Sequence, residues 1–119
     1  MLKNKKNIFI TGVAGFIGFS YAGELLKKGH KVYGIDNFDK YYSLKIKRER
    51  IKLLKKYKNF IFKKIDITNK KSLFYFLSKK NLNYVFHFAA QPGVRYSFVN
   101  PQKYLDVNSY QLLSDKQFR

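Results

Sequence analysis

The sequence predicts an α/β protein, part of a doubly wound parallel sheet with four strands in the order 3-2-1-4 and flanking helices. Three observations predict it. Strand and helix patterns alternate along the chain, hairpin turn signals are nearly lacking, and a glycine-spaced turn follows the first strand.

The first strand is the apolar run Asn7 to Thr11, and Phe16 to Lys28 reads as a helix closed by Gly29. Between them stands Thr11-Gly12-Val13-Ala14-Gly15-Phe16-Ile17-Gly18. A buried strand leading through such a turn into a helix aims the N–H groups of the helix N-terminus at a bound pyrophosphate. Gly12 permits the tight turn, Gly15 admits the phosphates, and Gly18 lets the helix lie close against the strand.

Lys31 to Ile35 is the second strand and ends at Asp36, 18 residues after Gly18. At that spacing a carboxylate accepts hydrogen bonds from the adenosine ribose hydroxyls. Its charge repels a 2′-phosphate, and Asn37-Phe38 brings no Arg to hold one, so NAD is expected rather than NADP. Ser43 to Tyr57 is an amphipathic helix with Leu44, Ile46, Ile51, Leu53, Leu54 and Tyr57 on one side.

Asn59 to Ile65 is the third strand, followed by Asp66-Ile67-Thr68. Asp66 either accepts from an adenine amino group while Ile67 packs on the ring, or caps the next helix. Thr68 or Asn69 caps a helix running through Lys71 to Lys80. Tyr84 to Phe88 is the fourth strand, closed by Ala89-Ala90 beside the first. Those small side chains either leave room for the cofactor's ribose and pyrophosphate or simply pack the core.

Composition narrows the class further. A chain of 119 residues with 45% hydrophobic and 18% aromatic content makes one globular domain rather than a disordered segment. There is no Cys, which excludes disulfides and thiolate chemistry, and two His leave little for a metal site. Lys plus Arg number 25 against 7 acidic residues, a net charge of +18. Such a balance fits either a nucleic-acid surface or a lysine-rich composition. The Lys pairs are spread along the whole chain at helix ends, polar faces and loops, which favours composition.

Lys3, Lys5 and Lys6 ahead of the apolar stretch Ile8 to Phe19 imitate an export signal, but Thr11 and the three glycines interrupt it. No run approaches the ~20 apolar residues of a membrane span, so the cytoplasm is expected.

His87, inside the fourth strand, reads as a core histidine with a satisfied ring nitrogen. Arg95 follows Pro92-Gly93 and either reaches an anionic substrate group or is solvated. Tyr41 with Lys45 and Tyr75 with Lys79 have the spacing that, on a helix, lets a cation lower a phenol pKa. Neither element faces the nicotinamide position, so both are read as chance, and no catalytic residue is assigned.

Taken together, the glycine turn, Asp36-Asn37, Asp66-Ile67 and His87-Phe88-Ala89-Ala90 resemble the extended short-chain dehydrogenase/reductases, a Rossmann-fold family. Within it they resemble the NAD-dependent nucleotide-sugar epimerases and dehydratases. Asp36-Asn37-Phe38-Asp39-Lys40-Tyr41-Tyr42, Gln91-Pro92-Gly93-Val94-Arg95-Tyr96-Ser97 and Asn100-Pro101-x-x-Tyr104 look most like the UDP-glucuronate 4-epimerases. The resemblance implies oxidation of a UDP-sugar at C4 by tightly held NAD and return of hydride to the other face. It places the pyrophosphate on Phe16 and Ile17, the adenosine ribose on Asp36 and Asn37, and adenine on Asp66 and Ile67. It places Phe88, Ala89, Ala90 and Gln91 along the cofactor, with Asn108 facing it, and implies homodimers. Neighbouring readings are a 4,6-dehydratase or a UDP-glucose 4-epimerase. A non-catalytic nucleotide-binding module and a basic nucleic-acid binder are the readings from other classes.

Two departures stand out. Pro92 occupies a position where that family more usually has Ala, and Ser109 to Lys116 does not continue its small-residue helix. The later Tyr-x-x-x-Lys helix that supplies the family's base does not follow. The chain is therefore expected to be the N-terminal part of an NAD-binding domain spanning 1–119, inactive alone, with its fourth strand an unpaired apolar edge.

Overall fold

A computed structural model gives the fold; it describes residues 4–38, 43–88 and, as backbone only, 97–99. The elements are β1 (Asn7–Thr11), α1 (Phe16–Lys27), β2 (Lys31–Asp36), α2 (Leu44–Leu54), β3 (Phe60–Lys64), α3 (Lys70–Leu77), β4 (Tyr84–His87) and β5 (Ser97–Val99). The sheet runs β3-β2-β1-β4-β5. Its first four members are mutually parallel, in the order expected.

β5 is the departure. It pairs antiparallel with β4, setting Val85 opposite Val99 and His87 opposite Ser97, so the edge expected to stand open is occupied. At the other rim β3 is the outer strand, and its last residues, Lys63 and Lys64, are exposed.

Alternation along β1 builds two cores. Ile8 and Ile10 face α1 and α2, meeting Ala22, Leu26, Ile51 and Leu54. Phe9 points the other way with Tyr33, Ile35 and Val85 and is covered by Leu73 and Leu77 of α3. Coverage on both faces explains why the central strands read as near-continuous apolar runs. Each fully buried Leu, Ile or Phe contributes roughly 1.5–3 kcal/mol relative to exposure.

The helices differ in detail from expectation. In α2 the buried stripe is Lys47, Ile51 and Leu54, while Ile46 and Leu53 face outward, half exposed. The narrower stripe is the part of the helix that enters the core with α1 and the strands. Ser43 caps it by accepting the Ile46 N–H. At α3 the cap is Asn69, whose side chain accepts the Ser72 N–H at 3.1 Å. No helix among the described residues is long and apolar enough to cross a membrane.

Candidate functional site

The strands β1, β2, β3 and β4 all end on the same border of the sheet, and the expected site residues among those described gather there. β1 is the strand at which the order reverses, since the chain first builds outward to β2 and β3 and then returns to β4 on the opposite side. A crevice outside strand C-termini at such a point is where ligands bind in open α/β sheets.

The glycine turn is tightly specified. Gly12 has φ of 69°, a left-handed conformation that a side chain disfavours. Its carbonyl accepts the Gly15 N–H at 3.0 Å, and the Val13 N–H reaches the Ile35 carbonyl at 3.1 Å. A Cβ on Gly18 would fall onto the Gly12 carbonyl and lie 3.1 Å from Val13 Cα. Gly18 thus lets the helix lie close against the chain where β1 passes into the turn.

Gly15 is the N-cap of α1, and no side chain caps it. The first intrahelical bond runs from the Phe19 N–H to the Gly15 carbonyl at 2.8 Å. The N–H groups of Phe16, Ile17 and Gly18 have no acceptor among the described residues. Three open donors at the positive end of a helix dipole attract an anion.

Asp36, only 6% exposed, closes the adjoining side. Its Oδ2 accepts the Ala14 N–H at 2.9 Å and its Oδ1 accepts the Phe38 N–H at 2.8 Å. The acid at the end of β2 therefore ties down the turn that follows β1. A carboxylate offers about four acceptor positions, so these two bonds leave others for hydroxyl donors. Phe38 itself sits at φ of 56°, an uncommon state for a residue with a side chain, beside the site.

Asn37 Nδ2 lies 3.4 Å from Asp66 Oδ2, which brings the ends of β2 and β3 into one polar rim. Asp66 is no helix cap. Its Oδ1 accepts both the N–H and the hydroxyl of Thr68, at 2.8 and 2.7 Å, and these bonds hold its carboxyl below the usual carboxylate range. Ile67 is partly buried against the α3 side of the core. Phe88 donates its N–H to the Thr11 carbonyl at 3.1 Å and meets Tyr21 edge to face at 5.2 Å.

His87 Nδ1 is hydrogen-bonded to Thr11 Oγ1 at 2.8 Å, and burial lowers its pKa. It serves the strand pair rather than an open cleft. Tyr75 is exposed on α3, but the helix ends at Leu77 and Lys79 lies beyond it at φ of 63°, so the two do not share a helix face. Tyr41, Ala89, Ala90, Gln91, Arg95 and Asn108 lie outside the described residues. Among the described residues no His, Asp and Glu cluster could hold a metal ion.

Sequence reasoning missed Arg50. From α2, its Nη1 donates to the Ala14 carbonyl at 3.0 Å, and its guanidinium lies 5.9 Å from the ring centres of Phe16 and Phe19. The available signal was an Arg in a helix whose cations are otherwise mostly Lys. A cleft of about 450 Å³ between α1 and α2, lined by Phe19, Gly23, Leu53 and Tyr57, lies apart from the strand ends.

A family model described as GDP-mannose 4,6 dehydratase matches residues 9–113. The chain is 44% identical over 101 residues to Protein CapI of Staphylococcus aureus, covering 85% of this chain and 30% of that one. It is 44% identical over 99 residues to UDP-glucuronate 4-epimerase of Thermodesulfobacterium geofontis, covering 83% and 31%. Among solved structures, the UDP-glucuronic acid 4-epimerase of Bacillus cereus in complex with UDP-glucuronic acid and NAD aligns with a TM-score of 0.65 and 38% identity. That alignment covers 75% of this chain and 28% of the other. The chain spans about a third of the length of the curated relatives it matches.

Proposed function

The chain belongs to the GDP-mannose 4,6-dehydratase family, and from that premise we propose that it is the NAD-binding portion of a cytoplasmic nucleotide-sugar 4-epimerase. The observation that carries this reading is the set of open N–H donors of Phe16, Ile17 and Gly18 at the uncapped start of α1. They fit a diphosphate, which needs several converging donors and no competing side chain.

The other groups take their roles from their places at the strand ends, except Ala89, Ala90, Gln91, Arg95 and Asn108, which take theirs from the family resemblance. Asp36 offers its spare acceptor positions to the adenosine ribose hydroxyls, with Asn37 beside it. Asp66, ionised and exposed, accepts from the adenine amino group, and Ile67 packs on the ring. Phe88, Ala89, Ala90 and Gln91 continue along the cofactor, Asn108 faces it, and Arg95 meets the anionic sugar. When bound, NAD supplies reversible hydride transfer at a sugar carbon.

The whole protein's substrate is a UDP-sugar such as UDP-glucuronate, inverted at C4 through a 4-keto intermediate, and its assembly is a homodimer. The relatives' names and the NAD and UDP-glucuronic acid bound in the B. cereus structure support this assignment.

Calorimetric titration of the purified chain with NAD tests the reading. Binding is expected in the wild type and lost in Gly15→Val, because the added side chain stands over the open donors; even a Cβ there comes within 3.3 Å of the Gly12 carbonyl. Absence of NAD binding by folded wild type, or retention by the variant, overturns it.

A further inference from the structure

We propose that Arg50 is a positioning residue for the dinucleotide's diphosphate, acting through the Ala14 carbonyl; the proposal rests on the reading of the glycine turn given above. Ala14 is fully buried, and its backbone is held on both sides, at the N–H and at the carbonyl. Its N–H goes to Asp36 Oδ2 at 2.9 Å and its carbonyl receives Arg50 Nη1 at 3.0 Å.

The carbonyl matters because of its place in the count. Ala14 stands four residues before Gly18, so it is the acceptor that a helix begun one residue earlier would present to the Gly18 N–H. That bond is not made; the helix ladder starts one step later, from Phe19 to Gly15. Arg50 supplies the donor instead, through a charge-assisted bond. The Ala14 carbonyl is satisfied without consuming the Gly18 N–H, and all three donors stay open for phosphate oxygens.

The guanidinium is well placed to hold this arrangement. The ring faces of Phe16 and Phe19 flank it, each 5.9 Å away, and Ile51 and Leu54 anchor α2 in the same core as Ala22 and Leu26 of α1. Without Arg50, a buried carbonyl loses its partner. It regains one by winding α1 back one residue, and that closes a phosphate donor.

The test compares NAD, ADP and adenosine, titrated by NMR against wild type, Arg50→Met and Arg50→Lys, with hydrogen exchange read at the Gly18 amide. Arg50→Met is expected to weaken NAD and ADP by about tenfold. Adenosine is expected to stay within about twofold, and Gly18 exchange to slow as its N–H becomes bonded. Arg50→Lys, which retains a donor and a charge, recovers part of the loss, and carries the comparison if the Met variant does not fold. Equal losses for all three ligands, or unchanged NAD binding with unchanged Gly18 exchange, overturn the role of Arg50 alone. A folded wild type that binds neither NAD nor ADP overturns the dinucleotide reading and this role with it.

Discussion

Thr11 Oγ1 and His87 Nδ1 lie 2.8 Å apart, joining the last residues of the two neighbouring strands β1 and β4. Thr11 is fully buried, so this bond satisfies a hydroxyl that water does not reach. A second imidazole is similarly engaged: His30 Nδ1 accepts the Lys6 N–H at 3.0 Å, fastening the end of α1 to the entry of β1.

Both rings are held below the usual value of 6.5, His87 by burial and His30 by burial and then by the nearby Lys28 and Lys6 charges. The unfolded chain binds protons on them first as pH falls. Stability is therefore expected to be full above about 6.5 and to drop as pH descends through the lowered folded values. Urea midpoints at neutral and mildly acidic pH measure this. Asp66, lowered from 3.8, adds a second decline at more acidic pH of the same sign. A midpoint that rises on mild acidification contradicts the assignment.

Two glycines of α1 are expected to respond oppositely to Ala. Gly18→Ala drives a methyl into the turn and costs about 1–3 kcal/mol, with loss of NAD affinity. Gly23→Ala meets nothing within 4 Å and gains roughly 0.5–1 kcal/mol from reduced chain entropy. Denaturant melts of the pair compare them directly; a destabilised Gly23→Ala, or a neutral Gly18→Ala, goes against the packing described.

Asp36→Asn leaves one acceptor oxygen for two N–H groups, those of Ala14 and Phe38, and turns an amide NH2 toward the other. A loss of about 1–3 kcal/mol is expected for the unsatisfied donor. Weakened NAD binding should accompany it. An unchanged urea midpoint is the contrary result.

The charge excess leaves its own signature. One ion pair joins Lys27 to Glu24 at 3.7 Å, both exposed, against a net charge of +18. Self-repulsion of this kind is screened by salt, so the melting temperature is expected to rise with NaCl. A fall would mean that attractive pairs dominate.

What could be read in the sequence was what is local. The glycine spacing and the strand runs each depend on a handful of adjacent residues and appear where expected, and of the two candidate caps, Thr68 and Asn69, the structure uses Asn69. The grip on Ala14 was not legible, because Asp36 and Arg50 arrive from 22 and 36 residues away through the docking of β2 and α2. β5 escaped for another reason: three residues are too few for a periodic pattern, and only pairing with β4 makes them a strand. The contact between Asn37 and Asp66 likewise exists only because β2 and β3 end in register, with Asp36 opposite Lys64.

That same register sets Lys63 and Lys64 at the border of the sheet, level with Ile35 and Asp36. A second copy approaching to lengthen the ribbon there would press its own ammonium groups against these two and strip both of hydration. Like charges along that border therefore oppose polymerisation of the chain there.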